Sequence, residues 1–343
     1  MSSFHREREI KTLKSLEEIK SGLPPFCNRF FLGISQTTSP LTRLNYAYEL
    51  RQFFEFLSVE VDIFIGYKMH EYDLTDLDKI MTFHIELFVN QVRNGEKGIM
   101  RKLACLRTFF KYFYKRDEIT TNAPAKVDMP KLHDKPIVRL DKAEMMELIK
   151  TVNNGEGLSK GQQRFHDLTT LRDETIIILF LTTGLRISEL VGLNLGDLDL
   201  QRGSFKITRK GGNQVILYMP DELKTQLILF LGLGDGMENR DLTDQTRNEP
   251  LFKSIQSKRI SVRAVQNLVG KYARLAVPLK SISPHKLRST FGTNLYRDTK
   301  DIYIVADVLG HRDVNTTKKH YAAISEDVRR DAATKVKLFD EEN

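Results

Sequence analysis

The stretch SPHKLRSTFGTNL, residues 283–295, reads as the opening of a helix whose first turn carries two cationic or proton-sharing donors. Ser283 is an N-cap residue type, and Pro284 suits the first helical position, where an amide N–H would go unpaired anyway. His285 and Arg288 are three apart and share a face. Unpaired amides and the positive dipole end favour an anion there, so the segment has the makings of a phosphate pocket. A helix start facing solvent would use the same residue types, and the remaining chain has to decide between the two.

Three other segments have the same ambiguity. In TTGLRISEL (182–190), Gly184 ends one helix and Arg186 stands at the start of the next. Arg186 and Glu189 share a face, which suits either a surface ion pair or a positioned guanidinium. In RKGGNQ (209–214), a glycine-rich turn presents Lys210, either to solvent or into a site. In LGHRDVNTTKKHYAAI (309–324), Gly310 stops a helix, His311 follows, and Asn315 or Thr316 can start the helix carrying His320 and Tyr321. The spacing of His285, His311 and His320 matches no usual ligand pattern and lacks a carboxylate cluster, so no metal or other cofactor is expected.

The chain has 343 residues, enough for two domains, and 53 basic against 45 acidic residues leave a formal charge of +8. That excess favours a polyanionic partner such as nucleic acid over none. Cys27 and Cys105 form no CxxC pair, so neither a zinc site nor a disulfide framework is expected. The charged N-terminus lacks a signal-peptide core, and the longest apolar run, Ile176–Leu181, is far too short for a bilayer; a cytoplasmic protein without membrane contact is the expectation.

Residues 1–129 read as an all-helical domain. SPLTRLNYAYELRQFFEFL starts at Ser39 and Pro40 and repeats Tyr46, Leu50, Phe53, Phe54 and Leu57 at helical spacing. A second long helix in GIMRKLACLRTFFKYFYKRDEI sets Leu103, Leu106, Phe110 and Phe113 against a basic side with Arg101, Lys102, Arg107, Lys111 and Lys115, suited to a DNA backbone or to solvent. TTNAPAKVDMPKLHDKPIVRL, with three prolines, reads as an extended basic connection, and residues 130–139 are taken as the linker proper. Asp141 and Glu144 can form a capping box opening the second domain, 140–324. GSFKITRKGGNQVILYMP reads as a β-hairpin, whereas 153–173 and 232–249 read as polar insertions or loops. After Tyr321, Val328, Ala332, Val336 and Phe339 fall on one stripe of a further helix in a tail, 325–343.

Taken together, Arg186, Lys210, His285 with Arg288, His311 and Tyr321 resemble, in identity and chain order, the active-site pattern of the tyrosine recombinase, or phage integrase, family. NAPAKVDMPK is similar to the family's linker with Ala123 inserted, and PLF at 250–252 also occurs in the family. Within it, GLSK…LRDETIIILFLTTGLRISELVGLNLGDLD and RKGGNQV are most similar to Xer recombinases of the single-protein XerS type, which the loop at 153–173 fits better than the compact XerC and XerD kind. The resemblance implies a mainly α fold with a small β-sheet: a helical core-binding domain and a mixed α/β catalytic domain forming a C-shaped clamp on DNA.

The resemblance further implies site-specific strand cleavage and rejoining through a 3′-phosphotyrosyl intermediate. Tyr321 would be the nucleophile, Arg186, His285, Arg288 and His311 the phosphate ligands and proton carriers, Lys210 the acid for the leaving 5′ oxygen, and Glu189 a support for Arg186. Arg43, Arg101, Lys102, Arg107, Lys111 and Lys131 are the candidate DNA contacts of the first domain and linker. A homotetramer on two double-stranded sites would act in Xer-type chromosome dimer resolution, with its tail docked on a neighbour and a DNA translocase or accessory factor as a further partner. Alternatives are an integrase or excisionase of a phage or conjugative transposon, and a type IB topoisomerase-like enzyme.

Overall fold

The computed structural model describes residues 3–91, 95–131, 138–209, 212–233, 244–311, 313–315 and 317. The chain divides into two compact units, Ser3–Lys135 and Pro136–Asn343.

The first unit is helical: α1 Ser3–Lys20, α2 Cys27–Gly33, α3 Pro40–Glu60, α4 Asp76–Lys79, α5 Thr82–Gln91, α6 Glu96–Tyr114 and α7 Ala123–Lys126. Helix α3 begins as its sequence suggests, with Ser39 Oγ accepting from Thr42 N at 3.2 Å and Pro40 in the first turn. Its stripe of Leu50, Phe53, Phe54 and Leu57 is buried against Leu103, Leu106, Phe109, Phe110 and Phe113 of α6 and Phe30 of α2. Several of the aromatic rings meet edge to face, as Phe30 and Phe109 do at 5.0 Å between centroids. Both cysteines are buried free thiols, and desolvation pushes both above the ordinary thiol range, which makes them packing residues rather than nucleophiles.

Two expectations are corrected here. The segment before the linker is not wholly extended: Ala123–Lys126 form α7, and Ala123, Pro124 and Val127 are buried in this unit's core. Arg107 holds the segment, with its Nε donating to Pro124 O at 3.0 Å and its Nη2 to Val127 O. Lys102 does not belong to a basic outer face. It is 1% exposed, and its ammonium donates to Glu49 Oε2 at 2.6 Å and Gln52 Oε1 at 2.5 Å. Its helical register with Leu106, Phe109 and Phe113 turns it inward.

The second unit contains α8 Lys142–Asn154, α9 Lys160–Gln163, α10 His166–Thr183, α11 Ile187–Gly192, β1 Leu198–Asp199, β2 Ser204–Thr208, β3 Gln214–Tyr218, α12 Asp221–Leu231, α13 Asp244–Arg247, α14 Val262–Ala276, α15 Pro284–Thr299 and α16 Ile302–Leu309. Asp141 and Glu144 form the expected capping box on α8. The hairpin β2–β3 is antiparallel, pairing Thr208 with Gln214, and β1 adds a third strand too short to show period-2 patterning in the sequence. The expected loop 153–173 instead contains α9 and the first turns of α10, where the buried His166 meets Val152 O at 2.8 Å. Of the expected loop 232–249, residues 234–243 lie outside the described residues; α13 follows them.

Helix α10 packs against α8, α12 and α15 and forms the spine of this unit. Asp173 on α10 binds Arg172 Nη2 at 2.6 Å and Lys271 Nζ at 3.6 Å, and Tyr272 Oη donates to it at 3.2 Å, tying α10 to α14. Burial pushes the Lys271 ammonium below the ordinary lysine range, opposed by the Asp173 charge.

Removing one partner of a buried ion pair strands the other charge. Glu49→Ala, which leaves Lys102 charged in the core, is expected to lose about 3–5 kcal/mol of unfolding free energy in urea denaturation followed by circular dichroism. Glu49→Leu combined with Lys102→Met should recover most of it.

Candidate active site

Four carbonyls at the end of α16 organise the site. The helix stops at Gly310, whose φ of +64° is left-handed. His311 N donates back to Ala306 O at 2.9 Å and Gly310 N to Asp307 O at 2.8 Å, closing the helix. The next carbonyls in line receive arginines from distant elements. Arg288 Nη2 on α15 donates to Leu309 O at 2.5 Å, and Arg186 Nη2, at the start of α11, to Gly310 O at 2.9 Å. Arg209 Nη2, at the end of β2, reaches Val308 O at 2.9 Å and Asp307 O at 3.3 Å.

Gly184, which ends α10 at a φ of +61°, makes this convergence possible. A Cβ there would lie 2.3 Å from Phe291 Cδ1 and 2.9 Å from Leu309 Cδ2, so α10 can meet α15 and the end of α16 only over a bare backbone. Gly184 O also accepts from Arg288 Nη1 at 2.6 Å, so one guanidinium bridges the turn before Arg186 to the turn before His311.

The two arginines are held differently. Arg288 is 5% exposed, its plane fixed by two carbonyls that orient its charge without cancelling it. The Arg186 side chain is 33% exposed, and its Nη1 donates to Glu189 Oε1 at 2.9 Å while its backbone N–H donates to Glu189 Oε2 at 2.8 Å. Glu189 is buried, with both carboxylate oxygens accepting from Arg186. His285 is exposed on the first turn of α15, one turn before Arg288. Ser283 occupies the N-cap position with extended backbone but without a side-chain cap bond, and Pro284 follows in the first turn. The His311 ring is pinned by a 2.7 Å hydrogen bond between Nδ1 and Oγ1 of the buried Thr317. Thr317, which motif reading had passed over, is six residues further on. The helix there includes Val314, one residue before its expected start, and Asp313 Oδ1 accepts from Asn315 N at 2.9 Å.

The structure thus gathers Arg186, Glu189, Arg288 and His311 at one place, with His285 on the adjoining turn. Lys210, His320, Tyr321 and the tail stripe Val328–Phe339 lie outside the described residues. A concentration of fixed guanidinium and imidazole donors is chemically suited to a phosphate. No cluster of histidine, cysteine and carboxylate suited to a metal occurs among the described residues, and no described helix is long and apolar enough to cross a membrane.

The expected DNA contacts of the first unit separate by environment. Lys111 and Lys131 are exposed, and Arg101 is exposed while still bonded to Glu49. Arg43 is half-buried, donating to Ser35 O at 2.7 Å, and Arg107 is half-buried on the α7 carbonyls. Lys102, as noted, has no ammonium surface to offer.

Residues 138–327 match the model of the phage integrase family. A protein named tyrosine recombinase XerC from Caldanaerobacter subterraneus subsp. tengcongensis is 31% identical, covering 96% of this chain and 91% of that one. Another of that name from Syntrophus aciditrophicus is 29% identical, over 86% and 91% respectively. Among solved structures, a XerH site-specific recombinase bound to palindromic difH substrate superposes with a TM-score of 0.62 at 18% identity, covering 88% of this chain and 81% of that one. A lambda integrase dimer bound to a COC′ core site gives 0.59 at 16%, covering 92% and 79%.

Gly184→Ala must accept both a left-handed backbone and a side chain inside Phe291. A loss of about 2–5 kcal/mol is expected in thermal or urea unfolding, combining about 1–2 for the backbone and about 1–3 for overpacking.

Proposed function

The chain belongs to the phage integrase family and is a tyrosine site-specific recombinase, and from that premise we propose that Tyr321 cleaves a DNA strand within the site built by Arg186, His285, Arg288 and His311. The observation that carries this reading is the seating of Arg186 and Arg288 on the consecutive carbonyls of Gly310 and Leu309, directly before His311.

A phenol, with a pKa of about 10, is a poor nucleophile at rest, so attack on a phosphodiester needs charge stabilisation at the phosphorus. Arg186 and Arg288 offer forked donors to the non-bridging oxygens, and such preorganised donors commonly supply about 3 kcal/mol each. Tyr321 Oη forms a bond to phosphorus as the bond from phosphorus to the 5′ oxygen breaks. His285 takes the phenol proton, Lys210 gives one to the departing oxygen, and His311 adds a hydrogen bond to the phosphate. The product is a 3′-phosphotyrosyl enzyme and a free 5′ hydroxyl. Because the ester is exchanged rather than hydrolysed, the step balances without nucleotide hydrolysis. A 5′ hydroxyl from a second duplex reverses it and joins new partners.

Exchange between two duplexes needs four such sites, hence a homotetramer on two recombination sites, with the tail 325–343 docked on a neighbouring subunit. Arg101, Lys111 and Lys131 present exposed cationic groups suited to DNA phosphates. Resolution of chromosome dimers, assisted by a DNA translocase or another accessory factor, is the cellular role favoured by the similarity to proteins named XerC. Integration or excision of a mobile element is the second reading, favoured by a fold shared with lambda integrase and with the Tn1549 transposon integrase, which superposes with a TM-score of 0.57.

The test uses a nicked suicide duplex carrying a site selected from random DNA by binding to the protein. The wild type should accumulate a covalent protein–DNA adduct, and Tyr321→Phe should form none while binding the duplex within about threefold of wild type, since the lost hydroxyl serves chemistry and not affinity. Loss of binding in that variant would count against the assignment. Strand exchange between two such sites separates a recombinase from an enzyme that only relaxes supercoils, and loss of synapsis on deleting 325–343 checks the docked tail.

A further inference from the structure

Arg209 is not one of the six motif positions, yet it is the third arginine on the end of α16. Its backbone closes the hairpin turn, with Arg209 N donating to Asn213 O at 2.8 Å and Gly212 N donating to Arg209 O at 3.0 Å. Its side chain leaves the sheet and covers Gly310: a Cβ on that glycine would lie 2.2 Å from Nη1 and 2.3 Å from Cζ. From there the guanidinium donates to Val308 O at 2.9 Å and to Asp307 O at 3.3 Å. A cation at a helix C-terminus is stabilised by the dipole and by carbonyls without an intrahelical donor. The contact therefore joins the hairpin turn to the loop presenting His311, across 98 residues or more of chain.

The two ends of this link are not equally dependent on it. The end of α16 is also held by Arg186, by Arg288 and by its own closing bonds. Among the described residues of the hairpin turn, Arg209, Gly212 and Asn213, the bonds beyond the last ladder pair of Thr208 and Gln214 are local backbone ones, apart from those of the Arg209 side chain. Removing the guanidinium would free the turn rather than the helix end. Lys210 follows Arg209 directly in the sequence. We infer that Arg209 is a positioning residue: it anchors the hairpin turn to the end of α16 so that Lys210 is delivered to the leaving 5′ oxygen. This rests on the reading of Lys210 as the acid for that oxygen.

The experiment measures single-turnover adduct formation by the full-length protein on two suicide duplexes, one with the ordinary 5′ oxygen at the scissile bond and one with sulfur in its place. A thiolate leaves without a proton, so sulfur removes the need for the acid and nothing else. On the oxygen substrate Arg209→Gln should slow cleavage about 10- to 100-fold, and on sulfur it should run within about threefold of wild type, with duplex affinity also within about threefold. Arg209→Lys, which keeps the charge but not the fork, should fall between. Equal slowing of Arg209→Gln on both substrates, or no slowing on oxygen, overturns the inference. Lys210→Ala is the control that separates the two claims. If sulfur relieves Lys210→Ala but not Arg209→Gln, the positioning role alone fails. If it relieves neither, the reading of Lys210 fails and carries this inference with it.

Discussion

The end of helix α16 is the constraint on which the site depends. A helix leaves its last carbonyls without intrahelical donors, and a buried acceptor left unpaired costs about 1–3 kcal/mol. Here Ala306 O is closed by the His311 amide, and the four carbonyls after it are met by Arg209, Arg288 and Arg186 in turn, with Asp307 O also receiving the Gly310 amide. Three elements far apart in the chain are thereby fixed to one backbone turn. Carbonyls suit this role better than carboxylates would. They orient a guanidinium and leave its full charge available to an anion, whereas a carboxylate cancels it. Arg186 is paired with the Glu189 carboxylate, and it is the more exposed of the two motif arginines, with room to change partners.

Two glycines set how closely the turns approach. Gly184 lets Phe291 and Leu309 come to within contact of the α10 terminus, and Gly310 lets the Arg209 guanidinium lie on its backbone. Each also takes the left-handed conformation that ends its helix. Helix termination and close packing are both solved by a residue without a Cβ, so the ends of α10 and α16 meet where the arginines can bridge them.

The first unit uses charge in the opposite way. Glu49 and Lys102 neutralise each other inside an aromatic core, with the Lys102 ammonium also 5.1 Å from the Phe88 ring centre. Such a pair contributes little net stability but is costly to break. It also removes from the outer face a lysine that composition alone would count toward DNA affinity. Arg43 and Arg107 are likewise turned onto backbone carbonyls, so cation number overstates the binding surface of this unit.

Local rules were legible in the sequence because each involves residues within a few positions. Ser39 and Pro40 opening α3, the Asp141–Glu144 capping box, the left-handed Gly184 and Gly310, the alternation of Phe205 and Ile207, and the chain order of the six motif residues all belong there. The inward turn of Lys102, the helical start of α10 within an apparently polar loop, the short strand β1, the bond from His311 to Thr317 and the anchoring of Arg209 were not. Each turns on which partner a polar group meets once the elements pack, and packing brings together residues more than a hundred positions apart, as with Arg186 and Gly310, 124 apart. By itself the sequence determined the ends of those helices that carry a local cap or a terminating glycine, and which residues are chemically able to hold a phosphate. The tertiary structure alone decided which of those cations are aimed, because aim comes from carbonyls and carboxylates contributed by distant turns.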